Sequence, residues 1–373
     1  MDFIEIYKKK LETHIDIKGF ESKSTGLKVH VADVDSAMYN AYFCLATEAH
    51  SDDGLPHTLE HLIFLGSSKY PYKGSLDIVS NRNFARGTNA WTDVDHTCYT
   101  IEVASFQGFI NIMDIYLDHI LNASITKEGF ITEVHHITND GDDGGVVYCE
   151  MQQTENTSEC LTEEEMLRTL YDEKCGYRYN TGGKMVNLRH TTTHEKIVDY
   201  HKKFYHPQNL SIIVTGKINS AEIEKMLNSL EDCFKTGILS KKMENYTKPW
   251  STLPNQMTSH ISHINFPSDT ETHGNIRIAW RVCPESDLDY QVRRLTSSYY
   301  CVSFDEVNTK KMNFVVAKSF KILKDIVNGI IKIDVNHLKN LILRKYANEL
   351  AAVNFTFFYI NQCIALLSSR HLP

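Results

Sequence analysis

Two histidines and one glutamate fall within five residues of the chain, at His57, Glu60 and His61. On a helix, side chains four residues apart point to the same side of the axis, so the two imidazoles face the same way. Two imidazoles on one face can bind zinc, and a carboxylate beside them can take a proton from water at the metal. The spacing therefore predicts one zinc ion per chain, with His57 and His61 as ligands and Glu60 as catalytic base.

The residues around this stretch have the pattern of a short amphipathic helix. Pro56 suits the first position of a helix, and Gly66 suits a position just after its end. Three apolar residues project from the side opposite the histidines, where a core would bury them: Leu59, Leu62 and Ile63. The order His-x-x-Glu-His is the inverse of the HExxH order found in one class of zinc peptidases. A surface helix with two solvated histidines has the same pattern, so both interpretations stay open on these residues alone.

A catalytic zinc site uses three protein ligands and leaves a fourth position for water. The downstream carboxylates that qualify as the third ligand are Glu128, Glu133, Glu150, Glu155 and the run Glu163–Glu165. The adjacent pair His135 and His136 would diverge by about 100° on a helix, which disfavours binding of one ion by both. We interpret these two histidines as structural or as supports for a ligand. Asp143, which precedes Glu150 in the chain, could orient a ligand from behind.

A possible peptide-binding strand begins near Gly87 and runs through Asn89, Ala90, Trp91 and Thr92. Glycine and small alanine at the start of a strand are consistent with a sheet edge that accepts an extended peptide by strand addition. Such main-chain pairing selects extended, unfolded peptides with little sequence preference. The alternative interpretation is a plain turn that leads into a strand.

The elements around these residues indicate an α+β fold with two domains. Residues 26–47 and 210–215 are predicted as strands, as is the alternating segment Thr97–Val103, and the periodicity of Phe109–Leu121 predicts a helix. Thr192 and Glu195 form a predicted capping box for a helix through Phe204, and Ser220 is a predicted cap for a helix to about Cys233.

The second part of the chain follows a polar stretch with no sustained period. We predict a catalytic domain over residues 1–235, a linker over 236–259 and a second α+β domain over 260–373. Residues 261–266 and 275–282 are predicted strands, and residues 315–333 are a predicted helix. Residues 290–310 offer little helix or strand pattern, and the chain stops soon after an apolar run at residues 364–367. The second domain is therefore predicted to be incomplete.

Composition excludes several classes of partner. The chain has 373 residues and a net charge of -8, which gives no electrostatic case for nucleic acid. No run approaches the ~18 apolar residues that a membrane helix requires. Nine cysteines occur without CxxC pairs, and the first residues are acidic where a transit peptide would be rich in arginine. These features predict a cytoplasmic protein with no nucleic-acid or membrane partner.

The sequence resembles one family over several blocks in the same order. The blocks are residues 47–67, which contain the His-x-x-Glu-His motif, and residues 69–74, 87–93, 145–151, 177–183 and 204–209. Together they resemble the pitrilysin-like inverzincins, which include insulin-degrading enzyme and presequence protease. The presequence-protease-like branch is the most similar, in particular its cytosolic relatives without an organelle signal. The resemblance covers at least residues 26–217 and implies two homologous α/β sandwich domains with antiparallel-rich sheets covered by helices.

The resemblance also implies a set of site residues. In the presequence branch the third zinc ligand is the glutamate of a Gly-Val-Val-Tyr-x-Glu-Met block, which here is Glu150, with Glu133 as the next candidate. Asn89 and Ala90 are implied to hold the backbone of the substrate, beside Trp91 and Thr92 in the same block.

Full-length relatives consist of two halves, the second of which supplies an arginine and a tyrosine near the scissile carbonyl. We therefore expect a zinc metalloendopeptidase of short or unfolded peptides that acts with a C-terminal half or with a second copy of the chain. The alternative is a non-catalytic structural or assembly subunit of the same fold.

Overall fold

A computed structural model describes residues 2–11, 15–251, 255, 258–281, 299–332 and 334. The chain forms two compact units, one of residues 1–155 with 171–256, the other of residues 156–170 with 257–373. The strands of the first unit are β1 (Phe3–Leu11), β2 (Ile15–Ser22), β3 (Lys28–Asp33), β4 (Tyr39–Ala46), β5 (Ala85–Thr92), β6 (His96–Val103), β7 (His136–Ile137), β8 (Asp143–Gly144) and β9 (Leu210–Gly216). Its helices are α1 (Leu55–Ile63), α2 (Ser75–Arg82), α3 (Phe106–Leu121), α4 (Lys127–Glu133), α5 (Val146–Thr154), α7 (Met185–His190), α8 (His194–Phe204) and α9 (Ser220–Lys235). The mixed α+β class predicted from the sequence is confirmed.

A seven-stranded sheet forms the framework of the first unit, in the order β1-β2-β3-β9-β4-β6-β5. Neighbouring strands are antiparallel except β3 and β9, which are parallel. Strand β5 lies at the end of this order, and no other strand of the described residues pairs with its outer edge. The antiparallel β1–β2 hairpin that closes the opposite end was not predicted from the sequence.

Helices cover one face of the sheet, and successive side chains of each strand point alternately towards this face and away from it. Residues 41, 43 and 45 of β4 and residues 97, 99, 101 and 103 of β6 are almost completely buried. The predicted helix is confirmed as α3, whose first half buries one apolar side and whose second half, Ile115–Leu121, is buried on every side. Leu59, Leu62 and Ile63 of α1 join the same core with at most 1% exposure, as their positions predicted. The core therefore fixes the face of α1 that lies opposite the histidines.

Two predicted helix caps are each one residue off. Helix α8 is capped by Thr193, whose side chain accepts a hydrogen bond from the Lys196 amide, and Thr192 instead donates to the Asp53 carbonyl. Helix α9 is capped by Asn219, which forms a capping box with Glu222. Neighbouring Thr and Asn or Ser residues offer equivalent oxygens, so the sequence locates the turn but not the capping residue.

The second unit contains α6 (Ser158–Leu170), β10 (His273–Arg281), β11 (Tyr299–Asn308) and α10 (Met312–Val327). Strands β10 and β11 are antiparallel. The predicted strand at residues 261–266 is wrong, because these residues form no regular structure, and β11 lies where the sequence offered little pattern. Residues 282, 333 and 364–367, on which further predictions fell, lie outside the described residues.

The predicted linker, residues 236–259, has no helix or strand among its described residues. One of its side chains is nevertheless anchored to the first unit, because the Trp250 indole donates to the Thr47 carbonyl at 2.8 Å. The predicted domain boundaries themselves stay a prediction. No helix within the described ranges is both long enough and apolar enough to cross a bilayer.

Asp53 ties the start of α1 to α7 and α8. The residue is 4% exposed, and its carboxylate accepts hydrogen bonds from Lys196 at 2.7 Å, Thr191 at 2.6 Å and Asn187 at 3.0 Å. Burial alone would raise the pKa of Asp53, but these three donors outweigh it and lower the pKa to about 2. The ionised carboxylate is thus part of what holds α1 in place.

We expect Asp53→Asn to lower the free energy of unfolding by about 2 kcal/mol at neutral pH, because the asparagine amide has one acceptor oxygen in place of two, turns an NH2 donor towards the other donors and lacks the negative charge that faces Lys196. Because the pKa is lowered by folding, the contribution is complete above about pH 4, the value of the unfolded chain, and is lost as the pH falls towards about 2. Denaturant unfolding at several pH values measures it.

Asp35→Asn is the matched control, because Asp35 pairs with Lys217 on the surface and is 93% exposed in its side chain. That variant should leave the unfolding free energy unchanged. An Asp53→Asn effect that is equally large at pH 7 and pH 2.5 would contradict the assigned origin.

Candidate metal centre

Helix α1 starts at a close backbone approach. Gly54 is its N-cap residue and has a φ of 65°, and a Cβ atom built there would lie 2.5 Å from the Gly182 carbonyl oxygen. Only glycine fits this left-handed position without strain or collision. Pro56 lies in the first turn, as predicted, and the helix ends at Ile63 with Phe64 as its C-cap. The histidines are therefore held between a glycine contact at one end and the core beneath.

Three potential ligand atoms converge at the exposed side of α1. The Nε2 atoms of His57 and His61 are 3.2 Å apart, and Glu150 Oε2 lies 3.3 Å from the first and 3.5 Å from the second. A tetrahedral zinc ion with bonds of about 2.0–2.1 Å has ligand atoms about 3.3–3.4 Å apart. The donor set and its spacing fit such an ion, with the fourth direction left to water or substrate.

Glu150 reaches this position from α5. The helix begins after Gly145, which has a φ of 123°, and Glu150 stands one turn inside it with its side chain 46% exposed. Of the carboxylates that the sequence left open, Glu150 is the one grouped with both histidines among the described residues. The Glu155 carboxylate accepts from the Met185 amide instead, and Glu164 pairs with Arg168 on its own helix.

Glu133, the next candidate ligand, lies on the other side of His61. Its Oε2 is 3.6 Å from His61 Nδ1, the ring nitrogen that points away from His57, and its Oε1 is 3.6 Å from the Lys73 amine. The carboxylate is 6% exposed. A carboxylate at Nδ1 favours the tautomer in which Nε2 carries the lone pair for a metal. Glu133 is thus positioned to orient His61 and not to complete the ligand set.

The two imidazoles differ in their ionisation. Burial and the neighbouring His61 ring lower the pKa of His57 to about 4. Burial also acts to lower the pKa of His61, but the carboxylates of Glu133 and Glu150 outweigh it and raise the pKa. His57 is consequently neutral at physiological pH, the form in which imidazole binds metals.

Asp143 contacts a separate polar network and not the three converging residues. Its Oδ1 lies 2.7 Å from His135 Nε2, and its Oδ2 accepts hydrogen bonds from Arg189 and, at 3.5 Å, from the Tyr148 hydroxyl. Tyr148 belongs to α5, two residues before Glu150. Asp143 therefore lies behind the helix that carries Glu150, and a role in orienting that ligand stays a prediction. The His136 ring bonds the Ile131 carbonyl and supports the structure.

Glu60 is buried beside the histidines. Its residue is 8% exposed, and its Oε2 accepts a hydrogen bond from the Thr92 hydroxyl at 2.5 Å. Burial raises the pKa of Glu60, and the bond from Thr92 and the nearby His61 act in the opposite direction. A partly desolvated carboxyl with a raised pKa holds a proton more readily than an exposed one, which suits a group that accepts a proton from water.

The four residues predicted to bind substrate divide between the two faces of β5. Ala90 and Thr92 point towards α1, whereas Asn89 and Trp91 point to the opposite face, because side chains alternate along a strand. The Trp91 indole donates to His96 Nε2 at 2.9 Å, and the Asn89 carbonyl accepts from Thr100 at 3.2 Å. The sequence did not indicate the contact from Thr92 to Glu60, since nothing in their spacing relates them.

A second group of potential metal ligands, Asp93, Asp95 and His96, lies in the turn between β5 and β6. Its side chains already bond within the protein: His96 Nδ1 lies 2.7 Å from Asp95, and the His96 Nε2 atom accepts from Trp91. The group therefore stabilises the turn.

Comparisons with known protein families match most of the described chain. Residues 46–166 match the family described as insulinase, peptidase family M16, and residues 191–299 match the domain described as the peptidase M16 inactive domain. The first range contains His57, Glu60, His61 and Glu150.

Curated relatives are much longer than this chain. An uncharacterized protein of Caenorhabditis elegans is 39% identical over 82% of this chain and 30% of its own length, and one of Saccharomyces cerevisiae is 38% identical over 73% and 26%. The mitochondrial presequence protease of Candida albicans is 28% identical over 73% of this chain and 26% of its own length. The chain thus spans between a quarter and a third of these relatives.

Two solved structures share the fold. Pitrilysin superposes with a TM-score of 0.55 at 17% identity, over 69% of this chain and 26% of its own. A protease from Helicobacter pylori superposes with a TM-score of 0.66 at 16% identity, over 94% of this chain and 93% of its own. At these identities the likeness concerns the architecture alone.

Proposed function

Because the chain belongs to peptidase family M16, in its presequence-protease-like branch, we propose that it is the zinc-binding catalytic part of a metalloendopeptidase. Its substrates in this proposal are short or unfolded peptides. The observation that carries the proposal is the convergence of His57, His61 and Glu150 at 3.2–3.5 Å, with Glu60 buried beside them.

Each residue of the centre has a distinct task. His57, His61 and Glu150 would hold one zinc ion, which when bound supplies a Lewis acid that activates water and polarises a peptide carbonyl. Glu60 accepts the proton of the attacking water and can return it to the leaving amine, because its carboxyl is buried but hydrogen-bonded. Glu133 holds the His61 ring from its far side.

The edge strand β5 favours peptides over folded proteins as substrates. A chain can add to an exposed edge only when its own backbone groups are free, as in an extended or unfolded segment. Residues 89–92 lie at this edge, and Thr92 at its end contacts the proposed base. We propose that the peptide backbone pairs with residues 89–92 and reaches the metal from there.

A structural subunit of the same fold is the alternative function. The domain described as inactive covers residues 191–299 and includes none of the four proposed site residues. A purely structural subunit has no requirement for two imidazoles and a carboxylate within 3.5 Å of one another, with a buried glutamate beside them. This geometry therefore favours the enzyme over the structural subunit.

The partner in this proposal is a C-terminal homologous half or a second copy of the chain. The named presequence protease has roughly four times the matched length, since the match covers 26% of it. The seven cysteines that the structure describes as free thiols fit a reducing compartment, so we propose a cytoplasmic location.

The ligand assignment predicts one zinc ion per chain. Glu150→Gln should abolish stoichiometric zinc, because an amide cannot supply the anionic third ligand, whereas Glu133→Gln should weaken zinc binding by about 10–100-fold through loss of ring orientation. Glu128→Gln, on the same helix as Glu133 but exposed, is the control and should bind zinc normally. Elemental analysis and competition with a chelator measure all three, and zinc lost in Glu133→Gln but retained in Glu150→Gln would exchange the two roles.

The role of Glu60 predicts a separation of metal binding from turnover. Glu60→Gln should keep zinc, because Glu60 is not a ligand, yet lower peptide hydrolysis by about 10²–10⁴-fold, the usual contribution of a general base. Zinc content and cleavage of a quenched peptide are measured on the same preparation. Retention of most turnover by this variant would refute the mechanism.

A third prediction concerns the residues that surround the scissile carbonyl. Negative charge builds on the carbonyl oxygen during attack, and each donor around it typically contributes ~3–4 kcal/mol. The family resemblance assigns those donors to the second half. We therefore expect residues 1–373 alone to bind zinc but to cleave a quenched peptide slowly, with turnover rising when a C-terminal half is added or when the chain is concentrated. Full turnover that is independent of concentration would mean that this chain supplies its own donors.

A further inference from the structure

The hydroxyl of Thr92 connects the edge strand to the proposed base. Thr92 is the last residue of β5, and its Oγ1 donates to Glu60 Oε2 at 2.5 Å. Its side chain is half-buried and points towards α1, opposite Thr97 of β6, which is completely buried. A β-branched side chain in a strand has few allowed rotamers, so the hydroxyl is fixed by the backbone of β5.

We propose that Thr92 is a positioning residue that holds the Glu60 carboxylate in register with the strand that receives the peptide. This inference rests on the proposed function, because it concerns the same base and the same strand. With Oε2 of Glu60 bound, the second carboxylate oxygen is the one free to accept a proton from water. The hydrogen bond from Thr92 to Glu60 then fixes the base relative to residues 89–92 of β5, the part of the strand with which the substrate peptide would pair.

This role differs from direct substrate binding. A threonine hydroxyl has one hydrogen to donate, and in Thr92 that hydrogen is directed to Glu60. The Thr92 side chain therefore has no donor left for a peptide carbonyl and acts on the reaction through Glu60. The backbone groups on the outer edge of β5 remain available to the peptide.

The neighbouring Thr88 provides a matched comparison. It lies four residues earlier on the same face of β5, and its Oγ1 donates to the carboxylate of Asp77, an exposed residue of α2, at 2.7 Å. The two threonines thus make the same kind of hydrogen bond from the same strand, but only the bond from Thr92 reaches the metal centre.

The kinetic test compares Thr92→Val, Thr92→Ser and Thr88→Val in the zinc-loaded protein. Valine keeps the shape but removes the donor, so Thr92→Val should lower kcat by about 10–100-fold with KM within about twofold, as expected when only the base is disturbed. Zinc content should be unchanged. Thr92→Ser should recover most of kcat, and Thr88→Val should match the wild type. Loss confined to KM, or equal loss in Thr92→Val and Thr92→Ser, would overturn the proposal.

A second measurement needs no turnover. In denaturant unfolding, the midpoint shifts of Thr92→Val and Glu60→Ala should be strongly non-additive in the double variant, whereas those of Thr92→Val and Asp77→Asn should add. Additive shifts for Thr92 and Glu60 would overturn the proposal even in a protein that is inactive. If Glu60→Gln retained turnover while Thr92 and Glu60 were coupled in unfolding, the proposed mechanism would fail but the contact would stand.

Discussion

The whole centre depends on the placement of one short helix. Helix α1 has nine residues and carries two of the three proposed ligands together with the proposed base, and an isolated helix of this length is not stable in water. Its position is imposed from three sides: the core fixes Leu59 and Leu62, the contact of Gly54 with Gly182 fixes the first turn, and the Asp53 network fixes the entry of the chain. The geometry of the candidate centre is therefore a product of packing that lies outside the centre itself.

Electrostatics supplies a second constraint. The carboxylates of Glu60, Glu133 and Glu150 all act on the pKa of His61. Among the described ion pairs of these carboxylates, the partner other than a histidine is the amine of Lys73, which pairs with Glu133 and belongs to a side chain that is 74% exposed. Three carboxylates around two imidazoles leave an excess of negative charge in a partly buried space, which is costly unless a cation offsets it. A divalent ion meets that requirement and at the same time satisfies the unshared Nε2 lone pairs. In the proposed function, metal affinity and the structural stability of this region are consequently coupled.

The sequence was sufficient for features that depend on local periodicity. The amphipathic pattern located α1 and α3, and the spacing of His57 and His61 placed both rings on one face, because 3.6 residues per turn fixes that outcome. Features that depend on long-range packing were not accessible, and Glu133 was only a candidate ligand until the fold placed it at the far nitrogen of His61. In the β1–β2 hairpin, which was not predicted, Ile15 and Ile17 of β2 alternate with polar residues, but β1 contains three consecutive lysines at residues 8–10. Likewise, Thr92 and Glu60 belong to elements whose contact is set by the crossing of a helix over a sheet edge.

The free edge of β5 is short. A register shift between Ala85 and Thr88 interrupts the pairing with β6, and Gly87 there has a φ of 113°, so regular edge backbone extends only over residues 88–92. A bulge of this kind limits the edge and protects it from indefinite sheet growth between molecules. It also limits how firmly a ligand is retained: a peptide paired over so few residues is held by few main-chain bonds, and a cut within the paired segment divides them between two fragments. In the proposed function, such an edge favours fast product release and tolerance of many sequences over affinity for any one of them.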